Sequence, residues 1–135
     1  MSKIEFKPTD NKVGCFIYTD LKNVKKDQII EIKKLLNKYG VLFFKNQSLN
    51  PQEYMNFSSN FGTPAEYPML KPHKEFKDIY VIERKKTDTG KSFGEGPHTD
   101  SSYLENPPRF TFLQAIDVPE EGKGNTLFYN QFLAY

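Results

Sequence analysis

Two helical stretches, each closed by a glycine, lie before residue 63, and everything after them reads as strand and turn. In the first, Ile32, Leu35, Leu36 and Tyr39 repeat at the i, i+3, i+4, i+7 spacing of a helix with one buried face. Gly40 follows directly, in the left-handed position that commonly ends a helix. In the second, Asn50 is placed to cap, Pro51 suits the first helical position, and Glu53 can reach back to complete a capping box. Tyr54, Phe57 and Phe61 then share one face, and Gly62 closes the element. The run 41–44 is continuously apolar, too short for a helix and rich in aromatics, which predicts a buried strand. Residues 13–18 predict an earlier strand, and 79–82, 110–116 and 126–129 later ones, with 110–116 the strongest of these. Between them, Pro64, Pro68 and Pro72 punctuate the chain and the polar stretch 85–96 predicts a mobile loop. Asn130 is placed to cap a further helix opening at the end of the sequence. Early helices and late strands predict an α+β fold, and the absence of repeats or a linker predicts a single domain over 1–135.

Composition narrows the partners. Twelve Phe and eight Tyr within 135 residues supply enough apolar surface for one core. Nineteen Lys and Arg stand against seventeen Asp and Glu, and a net charge of +2 makes no electrostatic case for nucleic acid or a membrane surface. The densest basic run, residues 22–34, carries Asp27 and Glu31 and reads as a solvated helix face. Residues 1–10 lack the apolar centre of a secretory signal and no stretch has the length of a membrane span, so a cytoplasmic protein is expected. The lone Cys15 reads as a small apolar filler in a strand.

The chemistry rests on two histidines, His73 and His98. His98 is followed at the second position by Asp100, and in extended backbone such residues face the same side. An imidazole and a carboxylate placed this way can grip one ion, and with a third ligand and open positions the set suits Fe(II) in oxygen chemistry. The competing reading is a surface turn in which the aspartate caps a backbone amide. His73, between Pro72 and Lys74, reads as an exposed loop histidine.

The order of blocks adds to the triplet. His98-Thr99-Asp100 is followed by Glu105-Asn106-Pro107-Pro108, a strand ending near Val118-Pro119, and Gly124-Asn125-Thr126-Leu127-Phe128. Upstream stand Gly40-Val41-Leu42-Phe43-Phe44-Lys45-Asn46-Gln47, a helix opening at Leu49-Asn50-Pro51 and its end at Phe61-Gly62. In these blocks the chain resembles the TauD/TfdA family of Fe(II)/2-oxoglutarate-dependent dioxygenases over nearly its whole length. The resemblance implies that His98 and Asp100 are two of three protein ligands to Fe(II). It implies that Thr126 hydrogen-bonds a carboxylate of the co-substrate 2-oxoglutarate, and that O2 takes an open position. The reaction it implies is hydroxylation of a small organic substrate, sulfonate- or carboxylate-like, with decarboxylation of 2-oxoglutarate to succinate. Tyr67 and Ser101 become the candidate substrate contacts, beside the competing reading of Tyr67 as a core tyrosine.

The implied fold is a double-stranded β-helix, or jelly roll, with outer helices, of which this chain would be the N-terminal portion and therefore incomplete. The sequence departs from the family pattern in several places. The second ligand histidine and the arginine expected far downstream do not occur among these residues, and Arg109 stands beside the Pro-Pro pair instead. Pro97 replaces the tryptophan usual before the motif, and Tyr67-Pro68 stands where taurine-specific members have histidine before proline. Truncation, completion by another chain and a degenerate relative all fit these departures, truncation best. Uncovered strand edges would leave a lone chain open to self-association as a homo-oligomer. The alternatives to an oxygenase are a non-catalytic binding or assembly module built on the same fold, and a cupin-like metal protein, which fits His98 and Asp100 but not the Thr126 block.

Overall fold

The computed structural model describes residues 3–67, 70–120 and 122–135, which form two compact units: Met1–Glu53 with Ala115–Tyr135, and Tyr54–Gln114. In the first unit, strands β1 (Glu5–Pro8), β2 (Cys15–Tyr18) and β3 (Leu42–Phe44) form one sheet in that order. β1 pairs antiparallel with β2, Phe6 opposite Ile17 and Pro8 opposite Cys15. β2 pairs in parallel with β3, Cys15 opposite Leu42 and Ile17 opposite Phe44. A parallel pair needs a crossover, and helix α1 (Lys26–Tyr39) supplies it, packing on β3.

Alternation builds this core. Cys15 and Ile17 are buried on one face of β2 while Tyr18 is exposed, and Ile29, Ile32 and Leu35 form the buried stripe of α1. The predicted face was therefore right at Ile32 and Leu35, and it extends one turn further toward the helix start, to Ile29. Gly40 ends α1 at φ 77°, its N–H donating to the Leu36 carbonyl at 2.8 Å, as the glycine predicted. On the other sheet face the Phe16 and Phe43 rings meet at 5.4 Å, and Phe128 packs edge-on to Phe43 at 5.7 Å. Gly14 permits this close packing: its φ is +97°, and a Cβ there would stand 2.5 Å from the Phe43 ring. Gln47 ties the chain across, accepting from the Leu21 N–H at 3.1 Å and donating to the Thr19 carbonyl at 3.0 Å. Burial pushes the Cys15 thiol pKa up, in keeping with an inert filler.

Helix α2 (Pro51–Ser58) begins as its sequence predicts. The Asn50 side chain accepts from the Glu53 N–H at 2.9 Å, and the Glu53 carboxylate accepts from the Asn50 N–H at 2.8 Å. A 3-10 turn at Ser59–Phe61 continues it, and Gly62 turns the chain at φ 146°. In the second unit Phe57 and Phe61 pack edge-on against Phe112 at 6.0 and 5.1 Å, and Phe110 joins Phe61 at 5.8 Å.

The α+β content stands, but the expected later strands do not form among the described residues. Residues 110–116 keep the alternation of a strand, with Phe110, Phe112 and Gln114 half-buried and Thr111, Leu113 and Ala115 exposed, yet they join no ladder. A strand is defined by its neighbour, and the Phe112 carbonyl is taken instead by the Tyr54 hydroxyl at 2.7 Å. Residues 126–129 likewise join no ladder, and 79–82 contribute only the isolated bridge between Tyr80 and Pro72. Conversely, β1 lies in a segment read from sequence only as polar. Residues 85–96 hold no helix or strand, but side chains pin them: Arg84 donates to Ser92 Oγ at 2.6 Å and to the Gly90 carbonyl at 2.9 Å. Asn130 caps helix α3 (Gln131–Ala134), accepting from the N–H groups of Phe132 and Leu133. No helix among the described residues is long and apolar enough to cross a membrane.

Candidate metal centre

His98 and Asp100 meet in the second unit, with Nε2 and Oδ1 3.1 Å apart. Both side chains are about half exposed, at 51% and 49%, so the pair faces solvent rather than filling a core. The other ring nitrogen, Nδ1, lies 2.9 Å from the Gly96 carbonyl. With an acceptor at each nitrogen the ring favours its protonated form. The pKa of His98 is accordingly raised, first by the Gly96 carbonyl, then by the charge and hydrogen bond of Asp100, with desolvation opposing. Gly94 lies close beneath, where a Cβ would touch the His98 ring at 3.4 Å.

The geometry suits a cation. His98 Nε2 and Asp100 Oδ1 are a nitrogen and an oxygen donor of the kind that would hold a divalent ion. With Nδ1–H held by the Gly96 carbonyl at 2.9 Å, Nε2 would be the ring nitrogen available to a metal that took the place of the proton shared with Asp100. Among the described residues no third His, Cys, Asp or Glu joins them. Residues 101–104 form a turn closed by the Leu104 N–H on the Ser101 carbonyl at 3.0 Å.

Ser101, read from sequence as a substrate contact, is buried to 5% exposure and sits at φ 51°, a left-handed conformation uncommon for a residue other than glycine. It fixes the turn that directly follows Asp100. Tyr67 lies near the pair, and its phenol pKa is raised, first by a hydrogen bond with Tyr103, then by desolvation and the charges of Tyr103 and Asp100. Its ring is edge-on to Tyr80 at 6.0 Å and to Phe93 at 6.3 Å, and its N–H donates to the Tyr80 hydroxyl at 2.8 Å. Pro68, the residue that completes the Tyr-Pro signal, lies outside the described residues. Thr126 belongs to the other unit, exposed on the segment before α3.

Sequence reading missed Tyr103, Tyr80 and Phe93. Tyr103 carried a signal, being a polar aromatic three residues after Asp100, but nothing local shows which tyrosines meet. His73 is half-buried rather than exposed, and its Nδ1 accepts from the N–H groups of Glu75 and Phe76 at 3.2 and 3.3 Å, capping a turn. Arg109 stacks over Phe110 at 5.4 Å.

The family described as Taurine catabolism dioxygenase TauD, TfdA family matches residues 5–135. The alpha-ketoglutarate-dependent sulfonate dioxygenase of Saccharomyces cerevisiae is 29% identical over 149 aligned residues, covering 100% of this chain and 35% of its own length. Pentalenolactone F synthase of Streptomyces arenae is 28% identical, covering 82% of this chain and 39% of its own. The alpha-ketoglutarate-dependent 2,4-dichlorophenoxyacetate dioxygenase of Cupriavidus pinatubonensis is 29% identical, with 80% and 42% covered. A crystal structure from Burkholderia xenovorans, assigned as an alpha-ketoglutarate-dependent taurine dioxygenase, superposes with a TM-score of 0.54 at 28% identity, covering 61% of this chain and 32% of that one. The chain thus spans 35%, 39% and 42% of the length of these three curated relatives.

Proposed function

Because the chain belongs to the TauD/TfdA family of Fe(II)/2-oxoglutarate dioxygenases, we propose that it is part of an oxygenase that hydroxylates a small organic substrate, sulfonate- or carboxylate-like. The observation that carries this is the 3.1 Å approach of His98 Nε2 to Asp100 Oδ1, with Nδ1 already committed to Gly96. These two side chains would hold Fe(II). When bound, the metal with 2-oxoglutarate and O2 supplies the oxidising chemistry, with succinate and carbon dioxide as the products of the co-substrate.

The remaining work falls to the chain's own residues. Gly96 orients the His98 ring and fixes its tautomer, and Ser101 locks the turn that aims Asp100. Thr126 is the proposed partner of a 2-oxoglutarate carboxylate, and Tyr67 the proposed contact on the substrate side. The complete fold is read as a double-stranded β-helix, to which this chain contributes the outer helices and a first sheet.

One observation favours a second reading. No third ligand joins His98 and Asp100 among the described residues, which fits a non-catalytic binding or assembly module. Anaerobic titration with Fe(II) and 2-oxoglutarate separates the two. An oxygenase site gives a metal-to-ligand charge-transfer band that His98→Ala abolishes. A wild-type chain with no such band, or with one that survives His98→Ala, overturns the proposal and leaves the module.

A further inference from the structure

The segment that leads into His98 is held by a fork outside the metal-binding pair. The Arg84 guanidinium donates through Nη1 to Ser92 Oγ at 2.6 Å and through Nη2 to the Gly90 carbonyl at 2.9 Å. Ser92 passes this hold onward. Its N–H donates to Glu95 Oε2 at 2.7 Å, and the Glu95 N–H donates back to the Ser92 carbonyl at 3.2 Å, which closes residues 92–95 into a turn. The turn delivers the two glycines that flank the His98 ring. A Cβ on Gly94 would stand 3.4 Å from the ring carbon Cε1, and the Gly96 carbonyl lies 2.9 Å from Nδ1.

We infer that Arg84 is a positioning residue for His98, acting through the Ser92–Glu95 turn to set Gly94 and Gly96 against the imidazole. The inference rests on the oxygenase reading above and adds to it a residue that touches neither ligand. Gly94 and Gly96 sit at φ 72° and 97°, in the left-handed region that favours glycine, and a backbone without Cβ atoms does not stiffen itself. Their placement must come from neighbouring chain. Two holds precede them: the Arg84 fork, and the Phe93 ring, which is edge-on to Tyr67 at 6.3 Å and 51% exposed. The ring contact fixes a side chain from one side. The fork fixes backbone, because it takes the Gly90 carbonyl directly and anchors the residue whose N–H and carbonyl bind Glu95. A planar guanidinium aimed at two acceptors sets an angle as well as a distance, which a single ammonium does not. An imidazole that lost the Gly96 acceptor would be free to turn, and Nε2 would leave its place 3.1 Å from Asp100 Oδ1. Outer groups that orient a ligand ring in this way raise metal affinity.

The test uses the whole chain with isotope-labelled histidine and glycine, in which His73 serves as an internal reference for His98. In the metal-free wild type, the His98 Hε1 proton should show a nuclear Overhauser contact with an Hα proton of Gly94. Arg84→Lys keeps the charge but not the fork, and should lose this contact while the His73 signals stay in place. Glu95→Ala and Glu95→Gln remove the same charge, but glutamine keeps an oxygen for the Ser92 N–H. The alanine variant should therefore lose the contact and the glutamine variant keep it. Zn(II) binding, followed on the His98 ring signals, should weaken about fivefold in Arg84→Lys and Glu95→Ala, less than the roughly 10–100-fold of groups that touch a ligand directly. A contact missing from the wild type, or retained in Arg84→Lys, overturns the inference even if amide exchange in residues 85–96 quickens. So does a Zn(II) affinity in Arg84→Lys equal to a measurable wild-type one. A wild type that binds no Zn(II) ends the metal-centre reading instead, and loss of the contact in Arg84→Lys then still upholds the placement of the ring by Arg84.

Discussion

The hydroxyl of Tyr54 donates to the carbonyl oxygen of Phe112 across 2.7 Å, joining two residues 58 positions apart. The bond satisfies a carbonyl that a strand neighbour would otherwise take, and it holds residues 110–116 against the aromatic cluster of α2. Burial pushes the Tyr54 phenol up to about 12. Because this folded-state value lies above the unfolded value near 10, the stabilisation is complete below about pH 10 and is lost as pH rises through about 12. With eight tyrosines and no tryptophan, tyrosinate absorbance reports ionisation cleanly. Tyr54 should titrate near pH 12, and Tyr54→Phe should remove that final step and cost about 1 kcal/mol in urea unfolding. A final step unchanged in the variant would refute the assignment.

The reciprocal bonds of Asn50 and Glu53 start α2, and Asn50→Ala should destabilise the chain by about 1 kcal/mol. The pKa of Glu53 is lowered, first by the Asn50 N–H and then by Lys22, whose Nζ lies 3.3 Å away. A lowered folded value means that its contribution is present above the usual carboxylate range and lost as pH falls through the folded pKa. Glu53→Gln should therefore flatten the acid limb of a stability-against-pH curve, and an unchanged limb would count against the capping box.

Gly14 should tolerate no side chain. A Cβ there meets the Phe43 ring at 2.5 Å and Val41 at 2.9 Å, at a φ of +97° that L residues rarely adopt. Gly14→Ala should cost about 1–3 kcal/mol by overpacking alone, with backbone strain in addition. Thermal unfolding within a degree of the parent would show that the sheet face is looser than described.

Arg84 should govern the order of the 85–96 segment. Its guanidinium bridges Ser92 Oγ and the Gly90 carbonyl, a fork that lysine cannot reproduce. Amide exchange from residue 88 to 95 should quicken severalfold in both Arg84→Ala and Arg84→Lys, while the buried amides of α1 exchange as before. Equal rates in the parent and both variants would mean that the segment is held by other contacts.

The elements legible in the sequence were those whose signals are local. Gly40 and the Asn50-Pro51-Glu53 group mark helix ends because the atoms that satisfy the terminal N–H and carbonyl groups lie within a turn. Ile32 and Leu35 were found by periodicity, whereas Ile29 was missed although it continues the same stripe toward the helix start. The alternation of residues 110–116 was also real, but pairing needs a second segment, which no local pattern can supply. β1 escaped notice because all four of its residues are exposed, and an edge strand without a buried face leaves no apolar alternation to read. At the candidate centre, the His98–Asp100 spacing together with the order of the surrounding blocks singled out the two residues, whose side chains lie 3.1 Å apart. Tyr80 and Phe93 were not legible, because they meet the Tyr67 ring only through folding.

That exposed β1 has one more result. It occupies one margin of the sheet with Glu5, Lys7 and Pro8, two charges and a residue without an N–H, a composition that repels a newcomer. The opposite margin, β3, is Leu42-Phe43-Phe44. The charges and proline of β1 therefore disfavour the addition of a further strand on that side of the sheet.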